Sequence, residues 1–492
     1  MNLLLVFPRF KYASGQPPLG ISALHTYLKK KAPDIGITVF DGTFSKNKLK
    51  SFEELIKQNS FDAVGFSIMN TMISEARSMA GLVRQYLPGA KIIAGGPQAT
   101  VRAEYFIESG IADISVIGEG EVTLLDLLTN GADPKGVRGT VYKKDNEIVH
   151  EETRDMVVDL DELPIPDRDI FDMDSYFKAW NSLDVLGGRL KGTSVVVSRG
   201  CPYQCSFCQP TLQKIFGRKV RKNSPERVIE ELSYLKKRYD IDAFMFEDDT
   251  FLMDKTWASK VCDLMIKDDL GLVWCCNVRA NLCSYDILKC MRDAGLRKIN
   301  IGIESASQKI LDEVFKKNIT IEQVEKAVST AKSLDLYIQG YFMIGHPREC
   351  AEDIEKTIDF ASNLDIDEAS FSITTPLPGT ALFESDKDTI EPALEVFDYY
   401  SISVYSRKHL QVSPEEIERF ITHAYLDFYL KPRRLIKQVI SLFSVNGFKK
   451  FMYKLQRVVS TGKMANSRYL FVCLYVWLEK HLSLGDYKKK TS

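Results

Sequence analysis

Short apolar runs alternate with amphipathic stretches through the first 130 residues. Segments 3–6, 37–40, 63–67, 92–94 and 114–117 are apolar and of strand length. Between them Ile21, Leu24, Tyr27 and Leu28 recur at helical spacing, as do Ala76, Met79, Leu82, Val83 and Tyr86. Such alternation predicts an α/β fold: a parallel sheet with helices on both faces, its five strands in a flavodoxin-like order. Ligands of such sheets bind beyond the carboxyl ends of the strands. The informative loops are therefore Ser67-Ile-Met-Asn-Thr, Gly95-Gly-Pro-Gln and Gly118-Glu-Gly-Glu-Val-Thr.

The rhythm returns further on. Segments 194–198, 243–247, 274–278, 298–303, 338–344 and 369–373 predict six strands. Helical segments 225–239, 255–268, 284–294, 321–334 and 351–364 separate them. Six units are too few for a closed eight-fold barrel, so a partial (β/α)6 barrel follows, with chemistry at the C-terminal strand ends. Residues 140–149 read as a hairpin turning at Lys144-Asp-Asn, and Leu163-Pro-Ile-Pro-Asp-Arg marks an extended linker. The tail is helical by pattern, with amphipathic stretches at 414–429 and 435–443. The resulting division is 1–135, 136–189, 190–390 and 391–492.

Bulk composition narrows the class. The chain has 65 basic and 66 acidic residues, a balance that gives no sign of nucleic-acid binding. Ten cysteines without a secretory pattern point to reduced thiols in a cytoplasm. No stretch reaches the roughly 18 apolar residues that a membrane span requires. Basic residues beside Leu435, Ile436, Val439 and Ile440 leave peripheral contact with an anionic membrane surface as a second reading of a packed, solvated tail helix.

Cys201, Cys205 and Cys208 form a C-x3-C-x2-C triplet directly after an apolar run. Three thiolates on one loop can ligate three irons of a [4Fe–4S] cluster and leave the fourth open to a small molecule. A zinc site lacking one ligand, or plain buried thiols, are the bland readings.

With Gly200 before the triplet and Phe207 before its last cysteine, this region resembles the radical S-adenosylmethionine (AdoMet) enzymes. The resemblance implies reductive cleavage of AdoMet at the open iron to a 5′-deoxyadenosyl radical. Residues 1–130, with Pro17-Pro-Leu-Gly-Ile and the three post-strand loops, are similar to the cobalamin-binding domain that precedes many such cores. By that likeness Ser67, Gly95, Gly96, Gly118 and Glu121 lie along a bound corrin. One departure is plain: the loop after the first strand, Pro8-Arg-Phe-Lys-Tyr-Ala-Ser-Gly-Gln, has no histidine to ligate cobalt from below. His25 falls within the first helix and reads as a packing residue.

The same resemblance assigns further roles. Glu247, Asp248 and Asp249 close the second core strand, where one of them would hold the methionyl amine of AdoMet. The bland alternative is a magnesium site or a helix cap. Arg279 would meet the AdoMet carboxylate or the substrate, and Glu304 the ribose hydroxyls. His346, in Tyr341-Phe-Met-Ile-Gly-His-Pro, is either a substrate contact or structural. Thr375-Pro-Leu-Pro-Gly-Thr resembles a family loop on the adenine side.

The expected protein is a cobalamin-dependent radical AdoMet enzyme that methylates an unactivated carbon of a small-molecule or lipid-like substrate. Its reducing equivalents would come from a donor such as flavodoxin or ferredoxin. An oxidative cyclase with the same cofactors is one alternative, a non-catalytic sensor another. A short piece of the tail, Phe428-Tyr-Leu-Lys-Pro-Arg-Arg, is similar to the anaerobic magnesium-protoporphyrin ester cyclase group, and the tail is expected to cap the barrel mouth.

Overall fold

Leu3, Leu4, Leu5 and Val6 are buried on both faces of β1 (Asn2–Phe7), as a continuous apolar run is at the centre of a parallel sheet. The computed structural model describes residues 1–11, 13–183, 190–208, 214–249, 251–390 and 403–434. β1 pairs in parallel with β2 (Gly36–Asp41) and β3 (Ala63–Ser67). β4 (Lys91–Gly95) and β5 (Ile114–Val116) continue the sheet, giving the order 2-1-3-4-5 that the alternation predicts.

The hairpin is real, but its place differs from expectation. β6 (Thr140–Lys144) pairs antiparallel with β5, and β7 (Glu147–His150) follows it, so the sheet has seven strands. Asp145 and Asn146 turn the hairpin at φ 47° and 72°, a conformation these short polar side chains tolerate. The hairpin covers the edge of the first sheet and is not part of a free linker.

The second sheet is wholly parallel. Its order is β8 (Gly192–Val195), β11 (Ala243–Phe246), β12 (Val273–Val278), β13 (Leu296–Glu304), β14 (Tyr337–Ile344) and β15 (Glu368–Ile373). Between β8 and β11 in the chain lies a two-residue antiparallel pair, β9 (Ser198–Arg199) with β10 (Arg221–Lys222). The first and last strands of the six do not pair, so the barrel is open. Helices Pro225–Tyr239, Lys255–Lys267, Tyr285–Asp293, Ile321–Ser333 and Ala351–Asn363 lie within a residue of the predicted segments.

β15 would leave its outer backbone bare, a liability for any edge strand. Tyr425 and Tyr429, on the helix Pro414–Tyr429, cover it. The Phe371 amide donates to the Tyr425 hydroxyl at 3.1 Å, and the Tyr429 hydroxyl donates to the Ala369 carbonyl at 3.3 Å. The helix Pro414–Tyr429 therefore extends the outer layer past β15, while Val404 and Tyr405 pack on the segment that follows the strand, beside Leu377 and Phe383. Arg434 donates to the carbonyls of Ser362, Leu364 and Ile366, capping the neighbouring helix end, with Arg433 paired to Asp365. The stretch 435–443, on which membrane contact was expected, lies outside the described residues. Among the described residues no helix is long and apolar enough to cross a membrane.

Candidate functional site

Two strand-end surfaces face one another. The Gln16 amide, in the loop after β1, donates to Glu247 Oε1 at the end of β11. After β5, Glu119 accepts from Arg199 at 2.8 Å and from Arg221 at 2.9 Å, and Glu121 accepts from Arg199 at 2.5 Å. All four side chains are largely buried. Glu121 was expected beside a ligand; it is instead half of an ion pair that crosses between the two sheets. Its partner stands two residues before Cys201.

The cysteine loop lies in this seam. Burial raises the Cys201 thiol and pushes Cys208 up to about 12, with Asp249 and the neighbouring cysteines adding to both. Iron ligation must displace those protons, as thiolate ligation does generally. Lys317, which pattern reading missed, opposes the trend at Cys208. Its Nζ lies 5.6 Å from the centroid of the Phe207 ring, which packs edge-on against Phe315. Arg279 Nη1 comes within 3.5 Å of Cys205 Sγ and stacks 3.8 Å from the Tyr203 ring centroid. It therefore packs on the cysteine loop itself. Among the described residues no three Cys, His, Asp or Glu side chains are arranged to chelate a single metal ion. A cubane spreads its cysteines over separate irons, and the three-thiol donor set fits that group.

The three strand-end carboxylates separate by environment. Asp248 is fully buried and accepts from Ser198 Oγ at 2.5 Å and the Val197 amide at 3.1 Å. It braces the approach to the cysteine loop and cannot also reach a ligand, against the expectation that it might. Glu247 is held by Gln16 and Ser194, and burial raises it to about 6. Asp249 is solvent-accessible through the mouth yet walled by protein, which raises it to about 6 as well. Among the described residues it has no hydrogen bond or ion pair, and it is close enough to Cys201 and Cys208 to perturb both.

Glu304 holds φ 71° at a register shift of β13, a strained setting for a residue with a Cβ. Lys317 Nζ donates to it at 2.5 Å. A Cβ on Gly302 would fall 2.5 Å from that carboxylate and 2.7 Å from the ammonium, so the pair needs glycine beneath it. His346 is spoken for: its Nδ1 accepts from the Arg348 amide at 3.1 Å, leaving Nε2–H to donate to Asp386 at 2.9 Å. Asp386 also accepts from Tyr405 at 2.9 Å. With the imidazole 3% exposed, no face is left for a substrate.

Opposite the cysteines lie the glycine loops. Gly96 holds φ 83°, and a Cβ there would press on Ser67 Oγ at 3.0 Å and the Ile68 amide at 3.1 Å. At Gly118, φ 79°, nothing lies within 4 Å of an added Cβ, and at Gly95 only the Phe66 carbonyl does. Space is open beside Gly95 and Gly118, so the backbone there can be approached closely by a bulky ligand. Thr100 ties the loops together, accepting from the Gly118 amide at 3.1 Å and donating to the Gly96 carbonyl at 3.2 Å. Beside it, Thr100, Arg102, Lys214, Gly379, Phe383 and Glu384 line a cleft of about 450 Å³ between the halves. His25 packs toward Asp167 of the linker at 3.9 Å, away from these loops.

Comparison with known proteins agrees with the architecture. Residues 195–361 match the model of the radical SAM superfamily, and residues 9–128 match the B12 binding domain. An uncharacterized methyltransferase of Pyrococcus horikoshii is 34% identical over 460 residues, covering 91% of this chain and 96% of the relative. An anaerobic magnesium-protoporphyrin IX monomethyl ester cyclase of Rubrivivax gelatinosus is 27% identical, covering 93% and 85%. Among solved structures, the radical AdoMet methyltransferase TsrM of Kitasatospora setae shares the fold with a TM-score of 0.67 at 19% identity, over 79% of this chain and 78% of that one. The cobalamin-dependent radical enzyme OxsB does so with a TM-score of 0.74 at 16% identity, over 99% and 75%.

Proposed function

The chain belongs to the radical SAM enzymes that carry a B12-binding domain, and we propose that it methylates an unactivated carbon of a small molecule. It is a cobalamin-dependent radical SAM enzyme, with a [4Fe–4S] cluster, AdoMet and cobalamin as cofactors. The observation that carries the proposal is the opposition of the two strand-end surfaces, bridged by Gln16 with Glu247 and by Arg199 with Glu119 and Glu121. When bound, the cluster supplies an electron to AdoMet and cobalamin supplies a methyl group.

The chain's own residues then orient and exclude. Cys201, Cys205 and Cys208 hold the cluster, with Phe207 packed beneath their loop. Asp249 is our choice for the methionyl ammonium of AdoMet, because Asp248 is consumed by Ser198 and Val197, and Glu247 by Gln16 and Ser194. Glu304, held by Lys317, presents its other oxygen to the ribose. Arg279 shields the Cys205 side from water. Ser67, Gly95, Gly96 and Gly118 line the corrin cradle. Division of the chain near residues 135, 189 and 390 fits these roles, with the 140–150 hairpin reassigned to the first sheet.

A small-molecule substrate and an electron donor go with this chemistry, and we take flavodoxin or ferredoxin as the donor. Free cysteines suit a reducing cytoplasm. The test is incubation of anaerobically reconstituted protein with cobalamin, a reductant, methyl-labelled AdoMet and a small-molecule extract. Label in a new product, with 5′-deoxyadenosine, supports methyl transfer. Unlabelled product with 5′-deoxyadenosine identifies the cyclase reading, which the Rubrivivax relative's name favours. Absence of AdoMet cleavage would leave only the sensor.

A further inference from the structure

In a parallel strand row, residues in register point to the same face. Asn277 on β12 pairs with Asn300 on β13, Asn300 with Gln339 on β14, and Gln339 with Glu368 on β15. Their neighbours along each strand, Cys276, Val278, Ile299, Ile301 and Ile338, belong to the apolar core under the helices. The four polar residues therefore line the other face, the inside of the open barrel. One tier higher, Gly302, Tyr341 and Ser370 are in register, and Tyr341 is 37% exposed although it stands mid-strand. Accessibility there comes from the inner face, since the helices close the outer one.

This tier is incompletely satisfied. Asn300 is 4% exposed and donates to Asn277 Oδ1 at 3.1 Å, while its own Oδ1 is buried without a partner. Turning the amide over would only move the deficit to the other end. Gln339 has no side-chain hydrogen bond among the described residues. Below, Trp180 closes the floor against Ala243, Met245 and Cys275, and its indole N–H is also buried and unpartnered. The charges at this depth are mutually occupied, with Lys298 and Glu368 paired at 3.2 Å. Buried polar groups normally find partners, and Asn300 Oδ1, buried without one among the described residues and flanked by the half-buried amides of Asn277 and Gln339, marks a place where a ligand supplies it.

We infer that the amide row Asn277–Asn300–Gln339 is a specificity element that recognises a neutral hydrogen-bonding group of the substrate, hydroxyl or amide, that both donates and accepts. A flat apolar macrocycle or an acyl chain would leave these amides unsatisfied and is selected against. The inference rests on the proposed function and names the substrate class for it.

The test uses the full-length reconstituted protein and the aqueous and octanol-soluble fractions of a small-molecule extract, reading 5′-deoxyadenosine above the substrate-free background. The aqueous fraction should stimulate, and both Asn300→Leu and Gln339→Leu should cut that stimulation at least about tenfold, the scale on which a site built for hydrogen bonds rejects an apolar partner. Subsequent addition of sugars or of primary amides as competitors separates the hydroxyl from the amide source. Melting temperature should change by less than about 3 °C in Gln339→Leu, whose amide has no bond among the described residues, and in Asn300→Leu should fall only by what the one bond to Asn277 contributes. Stimulation by the octanol-soluble fraction, by neither fraction, or undiminished in both variants would overturn the inference. So would a large fall in melting temperature, which would make the amides structural. If the wild-type protein forms no 5′-deoxyadenosine under any condition, the proposed function has failed instead.

Discussion

Arg199 Nη2 lies 2.5 Å from Glu121 Oε1, joining the loop after β5 to the residue two places before Cys201. Glu119 reinforces the pair and adds Arg221. An ion pair this buried stabilises only as a set, because removing one partner strands the other charge away from water. Its position means that movement of the first sheet is felt at the cysteine loop.

Arg199→Met should therefore cost about 3 kcal/mol or more of unfolding free energy, whereas Arg199→Lys should recover only part of it because it lacks the forked geometry. Urea denaturation followed by circular dichroism checks this. Equal stability of Arg199→Met and wild type would show that the halves do not depend on the clamp.

AdoMet binding should depend on pH through the strand-end carboxylates. Asp249 and Glu247 are raised to about 6, so both lose their charge as the pH falls through that value. A carboxylate that holds an ammonium must be ionised, and affinity should decline below about pH 6 and level off above it. Asp249→Asn should weaken binding at pH 8 about tenfold, on the scale of a charge-assisted hydrogen bond, and flatten the profile. Equilibrium dialysis with labelled AdoMet measures both.

Stability should carry a second pH signature from Glu349. Burial raises this carboxyl to about 8; its Oε2 accepts from the His346 amide at 2.7 Å, and its Oε1 has no partner. The folded protein keeps this proton at a pH where the unfolded chain releases it. Stability is thus lost as pH rises from the ordinary glutamate range toward about 8, and the loss is complete above it. Glu349→Gln should remove that component and be the more stable form at pH 9. Urea titrations of both proteins at pH 6 and pH 9 give the comparison.

The tyrosine cover of β15 gives a separate test. Tyr425→Phe deletes two hydroxyl bonds to the strand edge and Tyr429→Phe one, so they should cost about 2 and about 1 kcal/mol respectively. The double variant should also self-associate, as an uncovered parallel edge invites pairing. Sedimentation velocity would detect this.

Strand and helix periodicity along the chain determined the second sheet, the five parallel strands of the first and most element positions, because apolar runs buried on two faces leave few other solutions, whereas the antiparallel β6–β7 edge came from the tertiary structure. The cysteine spacing likewise announced its chemistry, since three ligands on one loop are a local property. What only the tertiary structure decided depends on contacts between distant residues. Glu121 looked like a ligand contact until Arg199, 78 residues away, was found beside it. Of three adjacent carboxylates, Asp249 alone has no partner among the described residues, because Ser198 and Gln16 arrive from elsewhere to take the other two. Lys317 carries no motif, and its meaning appears only where β13 bends and brings Glu304 to it. The amide row is equally silent in sequence, since its members are scattered over 63 positions (277 to 339 inclusive) and share a face only through strand register.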